Sequence, residues 1–117
     1  YNKLFVDYAK TPLSLSALRA NGNVVDVSGL SEGTRDQLYL ALRLAALELH
    51  LAKSNALPLV ADDLFINFDD ERSTAGLEAL RDLSTRTQVL FLSHHEHLLP
   101  RVQKVFGEGV NVVRMAR

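Results

Sequence analysis

Apolar positions along this chain follow two periods, and the changes between them divide it into elements. Lys3 to Tyr8, Leu13 to Arg19 and Val24 to Val27 read as short strands, rich in apolar and β-forming residues. Thr11-Pro12 and Asn21-Gly22-Asn23 separate them with turn chemistry, so the first thirty residues read as a small antiparallel sheet. From Thr34 to about Lys53 the pattern becomes helical. Thr34 and Gln37 are spaced as a capping box, and Leu38 to Leu51 is apolar nearly all round. A helix of that kind is buried on several sides, which a chain this small can hardly provide alone. The expectation is a missing partner lobe.

Two unbroken apolar runs follow, Leu57 to Ala61 and Gln88 to Leu92, on either side of a helical segment from Asp70 to Arg86. That order predicts parallel strands of a βαβ unit, buried on both faces. Ser93-x-x-Glu96 is a second capping-box spacing and predicts a helix from about His94 to Val105. Gly107-Glu108-Gly109 would end it, and Asn111 to Met115 would form a last strand. The class is α/β: a partly parallel sheet flanked by helices, preceded by an antiparallel hairpin region, all in one domain over residues 1–117.

Composition narrows the function classes. The 117 residues are 47% hydrophobic and 23% charged, with a formal net charge of −1. Lys and Arg are scattered, so there is no electrostatic footprint for nucleic acid. No apolar run approaches the ~20 residues that span a bilayer, and no membrane partner is expected. With no cysteine, disulfides and thiolate metal sites are excluded, and a cytoplasmic location is expected. The first residues lack a signal-peptide pattern. The chain opens mid-strand at Tyr1 without Met, which points to a piece of a longer polypeptide.

Three clusters carry candidate chemistry. Ser31-Glu32-Gly33 opens the long helix, where unpaired N–H groups and the positive end of the dipole attract phosphate oxygens. An ordinary capped loop would look the same. Asp62-Asp63 ends one apolar run; one carboxylate there can hold a Mg²⁺-bound water and a second can orient the attacking water. An acidic surface turn is the plain alternative. Ser93-His94 ends the other run, and ligands of open α/β sheets sit at that strand edge. His94 and His97 lie one helical turn apart, and with Asp62 or Asp63 they could form a metal set. No familiar zinc-helix spacing is matched, however, so a phosphate contact from His94 is the preferred reading, with His95 and His97 at the surface. Acids from Asn67 to Glu71 suit a helix start. No Gly-x-x-x-x-Gly-Lys-[Ser/Thr] phosphate loop occurs in the sequence.

The order of these motifs resembles the C-terminal lobe of the ATP-binding-cassette ATPase head of SMC proteins and double-strand-break-repair ATPases, a P-loop NTPase fold. The likeness is to the YhaN-type, SMC-like ATPases of bacteria. Leu30-Ser31-Glu32-Gly33-Thr34-Arg35-Asp36-Gln37 looks like the signature motif and Leu57 to Asp62 like Walker B. Asp63 stands at the catalytic carboxylate, Ile66-Asn67-Phe68-Asp69 at the D-loop, and His94 at the switch histidine.

The resemblance implies ATP and Mg²⁺ as cofactors of the intact protein. It implies that Ser31, Gly33 and Gln37 meet ATP held by the opposite subunit and that Asp62 holds Mg²⁺ through water. Asp63 would polarise the hydrolytic water, His94 would sense the γ-phosphate, and Asp69 would link the two sites. The implied partners are a Walker A lobe from the same polypeptide, separated by a coiled coil, and a second head in an ATP-sandwiched homodimer. DNA and a nuclease are further partners of the parent protein, in DNA repair or chromosome segregation.

Two departures stand out. The family usually has Glu at Asp63, one methylene longer, and Pro-Thr where Leu64-Phe65 stands. Without a Walker A loop the chain by itself is expected neither to bind nor to hydrolyse ATP. Two other functions remain open on the sequence: a non-catalytic dimerisation module, favoured by the shorter acid, and a small metal-dependent hydrolase using Asp62, Asp63, His94 and His97.

Overall fold

A computed structural model describes residues 1–116. Strands β1 (Lys3–Asp7), β2 (Ser14–Leu18) and β3 (Val24–Asp26) form an antiparallel sheet in sequential order, with Leu4 opposite Ala17 and Ser16 opposite Asp26. The β2–β3 turn needs Gly22, whose φ is +84°, a region that side chains with a Cβ avoid. Gly22 N–H donates to the Arg19 carbonyl and the Asn21 side chain accepts from Asn23 N–H, which closes the hairpin.

Helix α1 runs Glu32–Leu51 and is capped by Ser31, two to three residues earlier than the Thr34 start the spacing predicts. Ser31 holds extended backbone and its Oγ accepts from Thr34 N–H at 3.3 Å, while Thr34 Oγ1 bonds back to Ser31 Oγ at 2.8 Å. The cap is thus a hydroxyl pair rather than a Thr34–Gln37 box.

β4 (Leu59–Asp62), α2 (Asp70–Ser84) and β5 (Val89–Leu92) make the expected βαβ unit, with β4 and β5 parallel and Asp62 level with Leu92. Asp69 caps α2, accepting from Arg72 N–H at 2.8 Å. Phe65, Leu77, Leu80 and Leu98 form the buried core, with Leu40, Leu59, Val89 and Phe91 packed around it. Gly76 of α2 meets the Phe65 ring edge on, and Phe65 lies 5.4 Å from Phe91 between ring centres.

Burial differs from the expectation in one informative way. Only one face of the parallel pair is covered. Leu59, Ala61, Val89 and Phe91 point to the core, whereas Val60, Leu90 and Leu92 are 56%, 44% and 44% exposed. In α1 only Gly33 is fully buried, and Tyr39, Leu42 and Leu49 face outward. The apolar runs encode covering on both sides, and the second cover is not among the described residues. The radius of gyration, 16.4 Å, exceeds the ~13 Å of a compact chain of this length, consistent with such open faces.

The C-terminal region departs further. Ser93 Oγ accepts from His95 N–H at 3.1 Å, which makes a local turn instead of a capping box. A 3-10 turn, Glu96–Leu98, precedes helix α3 (Leu99–Phe106), so that helix starts five residues later than expected. Asn111 to Met115 is irregular, not a strand: an extended apolar run needs a neighbouring strand to pair with, and among the described residues it has none. No helix of the described residues is long and apolar enough to cross a membrane.

Candidate functional site

The carboxyl ends of β4 and β5 bring Asp63 and His94 together. Asp63 N–H donates to the Leu92 carbonyl at 2.9 Å, so the ladder between the strands extends one residue past β4. The chain then turns sharply: Asp63 has φ +46°. That left-handed conformation is uncommon for residues other than Gly, and Asp and Asn tolerate it best. It swings the carboxylate out of the alternating pleat toward the end of β5, where Asp63 Oδ2 lies 2.8 Å from His94 Nδ1.

The two partners differ in setting. His94 is 71% exposed, whereas the Asp63 side chain is 25% exposed and its Oδ1 is buried. Desolvation raises the Asp63 pKa and is the largest single influence. The His94 hydrogen bond and charge, joined by the Ser93 side chain and the His94 backbone N–H, oppose it and together bring the carboxyl below its usual value. Asp63 is therefore ionised at neutral pH, able to orient a water but weak as a base.

Asp62, next to it, ends β4 exposed to solvent. A bare carboxylate at a strand end suits a hard cation held through water. The two neighbouring acids thus have different surroundings, one solvated and one tied to a histidine.

The helix start reaches the same region through the loop that leaves β4. Gly33 is buried, and a Cβ there would lie 2.5 Å from the Asn67 carbonyl oxygen and 2.8 Å from Arg72 Nη1. Asn67 Nδ2 donates to Asp36 Oδ2 at 2.7 Å, and Arg72 Nη2 donates to Thr34 Oγ1 at 3.3 Å. Three contacts therefore latch the first turn of α1 onto residues 67–72. Gly33 is required by this close packing, a role distinct from leaving room for a phosphate. Ser31 and Gln37 stay exposed on α1, and Asp69 is occupied as the α2 cap.

Sequence reasoning missed His95. It is half-buried rather than superficial, its ring centre 4.0 Å from that of His94, and it lines a shallow cleft with Phe65, Ser73 and Leu98. It sits in the irregular segment between β5 and the 3-10 turn Glu96–Leu98. His97, by contrast, is exposed as expected. The Asn67–Asp36 and Arg72–Thr34 contacts were missed too, since pairs 31 and 38 residues apart leave no local signal.

No protein-family model matches the chain. It is 37% identical over 92 residues to the uncharacterized protein YhaN of Bacillus subtilis (strain 168), a match taking in 78% of this chain and 9% of YhaN. In three dimensions it matches a solved SMC ATPase with a TM-score of 0.66 and 16% identity, covering 85% of this chain and 60% of that one. That structure comes from a description of ATP-driven dimerization and DNA stimulated activation of SMC ATPases. The chain spans under a tenth of its curated relative and three fifths of its structural one. Its mixed α/β architecture is that of an SMC ATPase head, as the motif order implies.

Proposed function

We propose that this SMC-like lobe, the C-terminal part of an ATPase head, supplies the acid, the switch histidine and the trans-acting helix start for ATP hydrolysis. A Walker A lobe from the same polypeptide would provide the phosphate loop. The observation that carries the reading is the 2.8 Å contact between Asp63 and His94 at the ends of two parallel strands.

In this reading Asp63 accepts a hydrogen bond from the hydrolytic water and aims it at the terminal phosphate. His94 holds Asp63 in place and meets the γ-phosphate with its exposed edge. Asp62 would hold Mg²⁺ through water, a task its solvated position suits. Ser31, Gly33 and Gln37 present the amino end of α1 to ATP carried by a second head, where N–H groups and the helix dipole favour phosphate. The Asn67 and Arg72 contacts fix that helix start relative to the loop leaving the acid, and Asp69, at the end of the loop, would connect the two sites. ATP and Mg²⁺ together supply the transferable phosphoryl group and the neutralisation of its charge. Two heads clamped by ATP and released by hydrolysis would act on DNA in repair or chromosome segregation.

The test is ATP turnover by the full-length parent protein carrying Asp63→Asn. Asn tolerates the left-handed backbone and can still bond His94, so the fold should persist. Turnover should fall about a hundredfold or more if Asp63 positions or activates the water. Unchanged turnover would remove Asp63 from the chemistry. A dimerisation module without catalysis would then be the better account, one that the short acid at this position also favours.

A further inference from the structure

Beside the acid–histidine contact stands His95, which hydrolysis, as proposed, does not employ. Asp63, His94 and His95 each place one potential ligand atom within 4.8 Å of the others. Two buried atoms of this group, Asp63 Oδ1 and His95 Nε2, meet no hydrogen-bond partner among the described residues. Buried polar atoms are rarely left so, and each unpaired one calls for a water, an ion or a function. An ionised carboxylate oxygen only accepts, and an imidazole nitrogen without its proton also only accepts. In the tautomer that leaves His95 Nε2 without a proton, both unpaired atoms are acceptors, and a bound cation would meet them together.

We propose that Asp63, His94 and His95 form a binding site for a divalent transition-metal ion, with Zn²⁺ the best match to the donor set. Two imidazole nitrogens and one carboxylate oxygen make a three-ligand zinc set with a fourth position open to water. The same set is poor for Mg²⁺, which prefers oxygen ligands throughout. Donor atoms on a tetrahedral zinc with bonds near 2.0–2.2 Å lie about 3.3 Å apart, so the widest pair must draw together by up to about 1.5 Å. The exposed His94 side chain can make that movement, whereas Asp63 and His95 are held more firmly. The set differs from the one the sequence alone brings to mind: Asp62 and His97 are not in it.

A consequence follows that does rest on the ATPase reading. An ion held by Asp63 and His94 would take both away from the water and the phosphate, so zinc would hold the head inactive. Binding and consequence are separable, because binding is measured with zinc alone and no nucleotide.

The experiment is calorimetric titration of Zn²⁺ into the 117-residue chain near neutral pH, with Co²⁺ absorption as the reporter of tetrahedral coordination. One equivalent should bind, with affinity lowered at least about tenfold in His95→Ala and in Asp63→Asn and unchanged in His97→Ala. Far-UV circular dichroism checks that His95→Ala folds; if it does not, His95→Gln takes its place. Absence of saturable binding, or equal affinity in the folded His95 variant, overturns the site. Either result leaves the turnover test of Asp63→Asn to judge the ATPase reading by itself.

Discussion

Gly33→Ala is the substitution whose effect the structure specifies most closely. The new Cβ would stand 2.5 Å from the Asn67 carbonyl oxygen, against an ordinary contact of 3.4 Å or more, so the loop must retreat by roughly 0.9 Å. It has little room to do so. Asn67 is tied to Asp36, Phe68 N–H donates to the Phe65 carbonyl at 3.1 Å, and Phe65 is buried against Gly76. Forcing a methyl into a closed fit costs about 1–3 kcal/mol. The better helix propensity of Ala returns at most about 1 kcal/mol, and less in a first turn. A net loss of about 1–2 kcal/mol is expected, and unfolding entropy for this length makes that a fall of about 4–8 °C in Tm. Thermal and urea unfolding of the chain without nucleotide, followed by circular dichroism, measure it. The Arg72→Ala background separates the two neighbours: Arg72 is a flexible side chain, so most of the loss should persist there. A Gly33→Ala chain as stable as its parent would refute the packing role. Loss that vanishes in the Arg72→Ala background would assign the fit to the arginine instead of the loop.

Two other outcomes follow from the site and the open faces. His94→Ala removes influences that lower the Asp63 pKa and leaves the burial that raises it, so the carboxyl should titrate higher, read by carbon NMR of the side chain. By linkage, an Asp with a depressed folded pKa stabilises above its unfolded value of 3.8, and that contribution disappears as pH falls through the folded value. The stability difference between parent and His94→Ala should therefore narrow in acid; a constant difference would break the link. Separately, the uncovered Val60, Leu90 and Leu92 should make the chain self-associate, and Leu90→Lys should weaken association in sedimentation equilibrium. A monodisperse monomer across a wide concentration range would contradict this.

The parts of the fold legible in the sequence are those governed by local periodicity. The hairpin at Asn21-Gly22, the long α1 and the β4–α2–β5 unit all declare themselves over windows of ten or so residues. Boundaries were less legible where two polar residues compete for one role. Ser31 caps α1 because it is the last residue with extended backbone, while Thr34 already lies inside the first turn. Ser93 has the spacing of a cap but its hydroxyl is taken by His95 N–H. The candidate site was legible as three separate strand or helix ends. What joins them was not: the Gly33–Asn67 approach is tertiary, and His95 lies in an irregular segment without a pattern. The acid's left-handed backbone conformation has a single trace in the sequence, the short Asp63 itself.

That conformation limits which amino acids can stand at position 63. A bend with φ +46° admits Gly freely and Asn or Asp with modest strain, while longer side chains adopt it less readily. Of those three only Asp carries a negative charge. The short acid is thus the residue this bend selects, and a Glu at the same place would call for a reshaped turn as well as a longer arm.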